Sequence, residues 1–452
     1  MSSQTATTPA PTASTREDAL FSKVTMRLLP LLFVCYVAAY LDRTNIGFVK
    51  AQMQADLGFS DLVYGLGAGI FFAGYFFFEV PSNLMLARIG VRKTLLRIMV
   101  LWGLLSAGMV FVSSPPVFYV MRFLLGAAEA GFFPGVMLYL TYWFPASRRG
   151  RIIAIFFSAI AVTGVIGGPL SGLVMSTMSG LHGLDGWQWA FVIEGIPACL
   201  LGLVAYFYFD NGPEDAKWLN RDEKAHLKEL IEREQVGTGV SSNHKFSEAV
   251  RDPRVYALAF SWFTFICAVY VISFWLPTFI RDAGVTDSLK VGMLSAIPYG
   301  AATFLSIAIC RNSDRTNERR WHILGCSLVG AFGLVLLSTT AGAGLTVALV
   351  VLSVSATAIL TTQPLFWAIT TKYLGGSKAA AGGIAFINCI GLTGGFVSPS
   401  ILGWIKSTTG HYSNGLYFMA ALLVIGGVAI LFTAAKPQKL APERVSSMGC
   451  RI

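Results

Sequence analysis

Twelve apolar stretches, each long enough to cross a lipid bilayer as a helix, run almost end to end through this chain and leave it few ways to fold. They fall at about 28–49, 62–86, 95–113, 116–144, 151–177 and 189–209, then at 254–280, 289–311, 321–340, 343–372, 378–405 and 414–435. Hydrocarbon about 30 Å thick asks for about 20 residues of helix. Helix suits them because lipid offers no partner to a backbone amide, and a barrel would need shorter, alternating strands. Composition agrees. Only 13% of the residues are charged, about half the share of a soluble domain. The sequence therefore predicts an all-α membrane protein of twelve transmembrane helices.

The net charge of +10 would suit a nucleic-acid binder, but its placement argues otherwise. Of the 34 Lys and Arg residues, all but six collect on the side that holds both termini. The exceptions are Lys50, Arg281, Lys290 and Lys406 in far-side loops, and Arg43 and Arg122 within spans. Basic residues mark cytoplasmic loops. Both termini are thus predicted to be cytoplasmic, in a multi-pass protein of a bacterial inner membrane with no nucleic-acid partner. The seven Cys are scattered singly and read as packing residues. No P-loop, metal-ligand cluster or nucleophile elbow occurs, so the chain is read as no enzyme, using no cofactor.

The longest polar stretch divides six spans from six. The organisation predicted is a disordered tail at 1–19, a six-helix bundle at 20–209, a cytoplasmic linker at 210–253, a second bundle at 254–435 and a tail at 436–452. The halves repeat weakly. Ser147, Phe156, Gly164 and Pro169 correspond at one constant offset to Ser377, Phe386, Gly394 and Pro399. Six spans per half put both repeats in the same orientation, an arrangement known among secondary transporters.

Ionisable residues deep in spans are costly, about 2.5–3.5 kcal/mol each on insertion scales, and are kept where they pair or line a water-filled space. Asp42 and Arg43 lie in span 1, where Tyr36, Tyr40 and Arg43 share one helical face. A guanidinium fork beside phenolic rings suits an organic carboxylate. Arg122 and Glu129 share a face of span 4. Glu129, near mid-membrane, is placed to carry a proton, since desolvation disfavours its charged form. Glu79 is expected to serve structure by bonding backbone freed by Pro81, and Glu194, beside Trp187 and Trp189, to sit at the interface. Gln363, Phe366, Trp367 and Asn388 are further candidates for a lining. Gly164, Gly168, Pro169 and Gly172 give span 5 a smooth, kinkable surface.

Five stretches carry a resemblance over about 20–435: residues 39–47 (AYLDRTNIG), 78–83 (FEVPSN), 122–129 (RFLLGAAE), 274–279 (FWLPTF) and 387–391 (INCIG). The chain resembles the anion:cation symporter family of the major facilitator superfamily, and most closely its tartrate, phthalate and hydroxyphenylacetate permeases. That resemblance implies proton-coupled import of an organic anion by alternating access. It implies substrate contacts at Arg43, Tyr40, Tyr75, Arg122, Trp367 and Asn388, and proton coupling at Asp42 and Glu129. The partners expected are a small carboxylate, protons and lipid, with the chain a monomer. Three positions depart from the family: Ala87 replaces a loop acid that persists only as Asp314, Ile160 replaces the span-5 Gln of sugar-acid permeases, and Leu392 replaces an Asn. The competing expectation is a proton-coupled drug or metabolite exporter, supported by the glycine–proline pattern of span 5 and by Arg122-x-x-x-Gly126-x-x-x-Ala130.

Overall fold

The computed structural model describes residues 13–237, 251–339, 344–374 and 380–433. Among these it contains twelve membrane spans and no strand. The first bundle comprises α1 (Ala13–Leu57), α2 (Asp61–Ile89), α3 (Val91–Ala107), α4 (Pro115–Glu129), α5 (Phe132–Trp143), α6 (Ala146–Thr177) and α7 (Gly186–Tyr208). The linker carries α8 (Arg221–Gly237). The second bundle comprises α9 (Pro253–Asp282), α10 (Ser288–Thr316), α11 (Arg320–Leu337), α12 (Leu345–Leu374), α13 (Ala380–Leu392), α14 (Gly394–Thr409) and α15 (Ser413–Thr433).

Fourteen of these helices make twelve spans because two spans are broken, which the apolar pattern does not foretell. Span 4 is α4 followed by α5. Directly after Glu129, Ala130 leaves helical geometry (φ −56°, ψ 132°) and Gly131 turns left-handed at φ 90°. A Cβ on Gly131 would also stand 2.3 Å from Ser82 Oγ, so glycine is required twice over. Span 11 is α13 followed by α14, interrupted at Thr393.

Two boundaries also differ from expectation. Residues 13–19, predicted as disordered tail, are the first turns of α1; residues 1–12, and the tail at 436–452, lie outside the described residues, as do 238–250 of the linker. At its other end α1 continues to Leu57, so Lys50 is not in a loop but buried in the helix. In the linker, Asn220 and Glu223 cap α8 reciprocally, each side chain accepting from the other's backbone N–H at 2.7 and 2.9 Å. Lys23 then ties α8 to α1 through Glu223 at 2.8 Å.

Lipid-facing positions such as Phe77, Phe207, Phe304 and Phe432 are exposed. Between the bundles, packing is tightest on the face away from the linker. There α6 meets α10 and α14 meets α2, with Gly172 against Ser288 and Gly403 against Asp61. The same face holds an ionic cluster. Lys50, 3% exposed, pairs with Asp61 at 2.7 Å and lies 3.5 Å from the centre of the Trp275 ring. Lys406 of the second bundle reaches Asp61 at 3.6 Å.

Candidate functional site

Arg43 follows from α1 continuing unbroken to Leu57. It thus lies well inside a helix, and its neighbour Asp42 points about 100° away around the axis. The two therefore enter different surroundings, although they adjoin in sequence.

Arg43 turns toward the junction of the bundles. Its Nη2 forms a salt bridge with Glu129 Oε1, at the last residue of α4. Its Nη1 approaches the Tyr270 hydroxyl of α9 at 3.5 Å. The guanidinium carbon lies 5.8, 5.5 and 5.4 Å from the ring centres of Tyr40, Phe71 and Tyr75. Aromatic faces favour a cation there. Arg43 is 12% exposed and Glu129 only 2%, so the arginine is the solvent-side partner. Its Nε and Glu129 Oε2 have no hydrogen-bond partner among the described residues. Tyr36 lies behind this group, stacked on Phe156 at 4.3 Å.

Asp42 turns instead into the first bundle, against α3. Its Oδ2 accepts from Trp102 Nε1 at 2.5 Å, and its Oδ1 accepts from Ser106 Oγ and from Asn45 Nδ2, the latter at 3.2 Å. Arg122 is fully buried and donates Nε to the Gly67 carbonyl at 3.1 Å. Its two η nitrogens lack a partner among the described residues. Arg122 feels the charges of Asp42, Glu129 and Arg43, and its guanidinium lies 5.0 Å from the Phe71 ring centre. Seven residues apart on α4, Arg122 and Glu129 share a face as expected, but the bridge runs from Glu129 to Arg43. Two acids and two arginines thus cancel formally within one buried region, which keeps its electrostatic cost down.

On the second bundle, Trp367 packs edge-on against Trp262 at 5.1 Å and is part-buried. Phe366, considered for the lining, is fully buried and stacks under Trp262 at 4.9 Å, so it supports the aromatic wall instead. Asn388 is half-buried on α13. Two acids depart from expectation. Among the described residues the Glu79 carboxyl accepts no backbone bond around Pro81; its own carbonyl accepts from Asn83 at 3.0 Å, while its carboxyl shares a helix face with Tyr75 and lies near Arg43 and Cys389. Glu194 is not interfacial but buried at 4%, accepting from Ser171 Oγ at 2.6 Å. Tyr270 is missed by sequence reasoning, since one tyrosine inside an apolar run carries no distinguishing signal.

A buried arginine–carboxylate pair, ringed by tyrosines where two six-helix bundles meet, is the makeup of a membrane carrier, not of an enzyme. The sequence signature of the Major Facilitator Superfamily matches residues 32–394. A protein of Agrobacterium vitis provisionally named a tartrate transporter is 44% identical over 432 residues, covering 95% of each chain. A quinolone resistance transporter of Acinetobacter baumannii is 37% identical over 430 residues, covering 95% of this chain and 98% of its own. Among solved structures, an inward-facing bacterial homologue of the lysosomal transporter Spinster superposes with a TM-score of 0.69 at 16% identity, covering 90% of this chain and 95% of that one. The chain belongs to the Major Facilitator Superfamily, in its anion:cation symporter-like branch, and is a multi-pass transporter of the bacterial inner membrane.

Proposed function

We propose that this transporter imports a compact organic anion, a tartrate-like hydroxy acid or an aromatic carboxylate, together with protons, by alternating access. The Arg43–Glu129 salt bridge carries the reading. An incoming carboxylate competes with Glu129 for the Arg43 fork, which prefers planar, bidentate acceptors. Glu129, released in a desolvated place, takes a proton. Anion and proton thereby favour each other's binding, and linkage makes the effect reciprocal. Tyr40, Tyr75 and Tyr270 offer hydroxyls and ring faces to the carbon skeleton, and Trp367 and Asn388 are the contacts proposed from the second bundle. Arg122, wholly buried, supports the site by its field. Basic loops put the termini in the cytoplasm, so tight packing on the far face corresponds to a state closed to the outside. The name of the Agrobacterium vitis relative supports a hydroxy acid as cargo.

Export remains a second reading because of the quinolone resistance relative. Against it, the glycines of α6 are accounted for by close packing on α10. Proteoliposomes separate the two. With an alkaline interior, radiolabelled tartrate or an aromatic acid should accumulate above its external concentration. Accumulation indifferent to the pH gradient, or transport of quinolones with no uptake of either acid, would overturn the proposal.

A further inference from the structure

Glu194 takes no part in the site above, yet it is buried eight residues into α7, about 12 Å along the helix. Such a carboxyl needs a partner or a proton. Among the described residues it makes no ion pair. Ser171 of α6 donates to its Oε1 at 2.6 Å, and its Oε2 is buried without a partner. From α1 it faces Asp42 and Asn45. Asn45 is the connection. Its Nδ2 donates to Asp42 Oδ1 at 3.2 Å, while its own Oδ1 is buried and unpartnered. Two buried acceptors, Glu194 Oε2 and Asn45 Oδ1, thus occur in one small region, and neither can satisfy the other without a hydrogen.

We propose that Asp42, Asn45 and Glu194 form one proton-holding unit, in which the two carboxyls share a single proton across the Asn45 amide and Glu194 carries it in the conformation described. The argument is a count of donors and acceptors. A primary amide presents a donor end and an acceptor end, and an ionised carboxylate only accepts. The amide nitrogen carries two N–H groups and could serve both carboxyls, but its oxygen only accepts, so the buried Asn45 Oδ1 is satisfied by these acids only when one of them is protonated. Turning Asn45 over reverses which acid holds the proton but not their number. In the conformation described, Asp42 accepts three hydrogen bonds, from Trp102, Ser106 and Asn45, the surroundings of an ionised carboxylate. Glu194, which has no ion pair and accepts one hydrogen bond only, is therefore the protonated partner. When the shared proton passes from Glu194 to Asp42, Asn45 turns so that its Nδ2 donates to the newly ionised Glu194, and the charge of the unit is unchanged. Glu194 is a positioning residue for the protonation of Asp42, placed away from the substrate.

Its role in transport rests on the proton-coupled reading above; its protonation does not. Infrared difference spectroscopy on the purified full-length protein in lipid, without substrate at neutral pH, tests the latter directly. Wild type is expected to show a deuterium-sensitive carbonyl band of a protonated carboxyl that disappears in Glu194→Gln and shifts in Asn45→Leu. If Glu194→Gln instead deletes a carboxylate band and leaves every protonated band, the assignment is wrong. Should Glu194→Gln fail to insert, Glu194→Asp gives the same information, the band moving in place of vanishing. For transport, one coupled proton supports about tenfold accumulation per unit of pH gradient. Glu194→Gln should lose about that factor in tartrate accumulation and change its pH profile, with partial recovery in Glu194→Asp. Wild-type accumulation and pH profile in Glu194→Gln would remove Glu194 from coupling. Absence of tartrate uptake by the wild type would count against the substrate reading alone, since the infrared bands are recorded without substrate.

Discussion

Gly292 of α10 and Gly168 of α6 are packed so closely that a methyl group on Gly292 would stand 2.1 Å from the Gly168 carbonyl oxygen. The contact is backbone on backbone between the two bundles, so no side chain can yield. Gly292→Ala is expected to hold the bundles apart on that face and slow transport. Spin labels at the exposed positions Ser176 and Lys290, in a chain freed of its native cysteines, should report a longer distance than in the parent. An unchanged distance would show that the seam tolerates the methyl group.

Asp61 bridges Lys50 and Lys406 in the far-face cluster. Asp61→Asn leaves the buried Lys50 without its counterion. Breaking a buried pair costs about 3–5 kcal/mol, which the partial exposure of Asp61 reduces to about 1–2 kcal/mol. Thermal unfolding in detergent should fall accordingly, and Lys50→Met combined with Asp61→Asn should recover part of the loss. Additive losses in the double variant would mean that the pair is not coupled.

Arg43→Lys keeps the charge but not the fork. A lysine cannot offer the planar fork that an incoming carboxylate takes over from Glu129, so affinity should drop about tenfold or more. Calorimetry on purified protein with tartrate measures it; affinity within a few-fold of wild type would remove Arg43 as the anchor.

Glu129→Gln imitates the protonated acid permanently. Accumulation driven by a pH gradient should vanish while exchange of internal for external substrate persists. Concentrative uptake by this variant in liposomes would exclude Glu129 as a required coupling site.

The twelve spans can be read from hydropathy because lipid imposes one requirement on every span, and the same pressure singles out Arg43 and Glu129 as costly. What escapes depends on local backbone and on neighbours. The break after Glu129 lies inside an unbroken apolar run, and the non-helical Ala130 and the positive φ of Gly131 disclose it. In sequence Glu194 reads as interfacial because tryptophans precede it, whereas its surroundings are set by Ser171 and Asn45 on other helices. Adjacent along the chain, Asp42 and Arg43 read as a pair; helical geometry sends them to separate partners. Lys50 reads as a loop residue because a lysine ordinarily ends a span, and the acid and indole that keep it buried come from α2 and α9.

The Lys50–Asp61–Lys406 cluster also has a consequence for how salt acts on the closed face. Its two lysines share Asp61, and Asp282 acts on Lys50 as well, so the closure holds charges of both signs. Salt screens exposed pairs more than buried ones. Lys406 and Asp61 are each 21% exposed, whereas Lys50 is 3% exposed. Rising ionic strength should therefore weaken the hold of Lys406 first and leave Lys50 on Asp61, loosening the seam at the point where Lys406 joins the second bundle to the first.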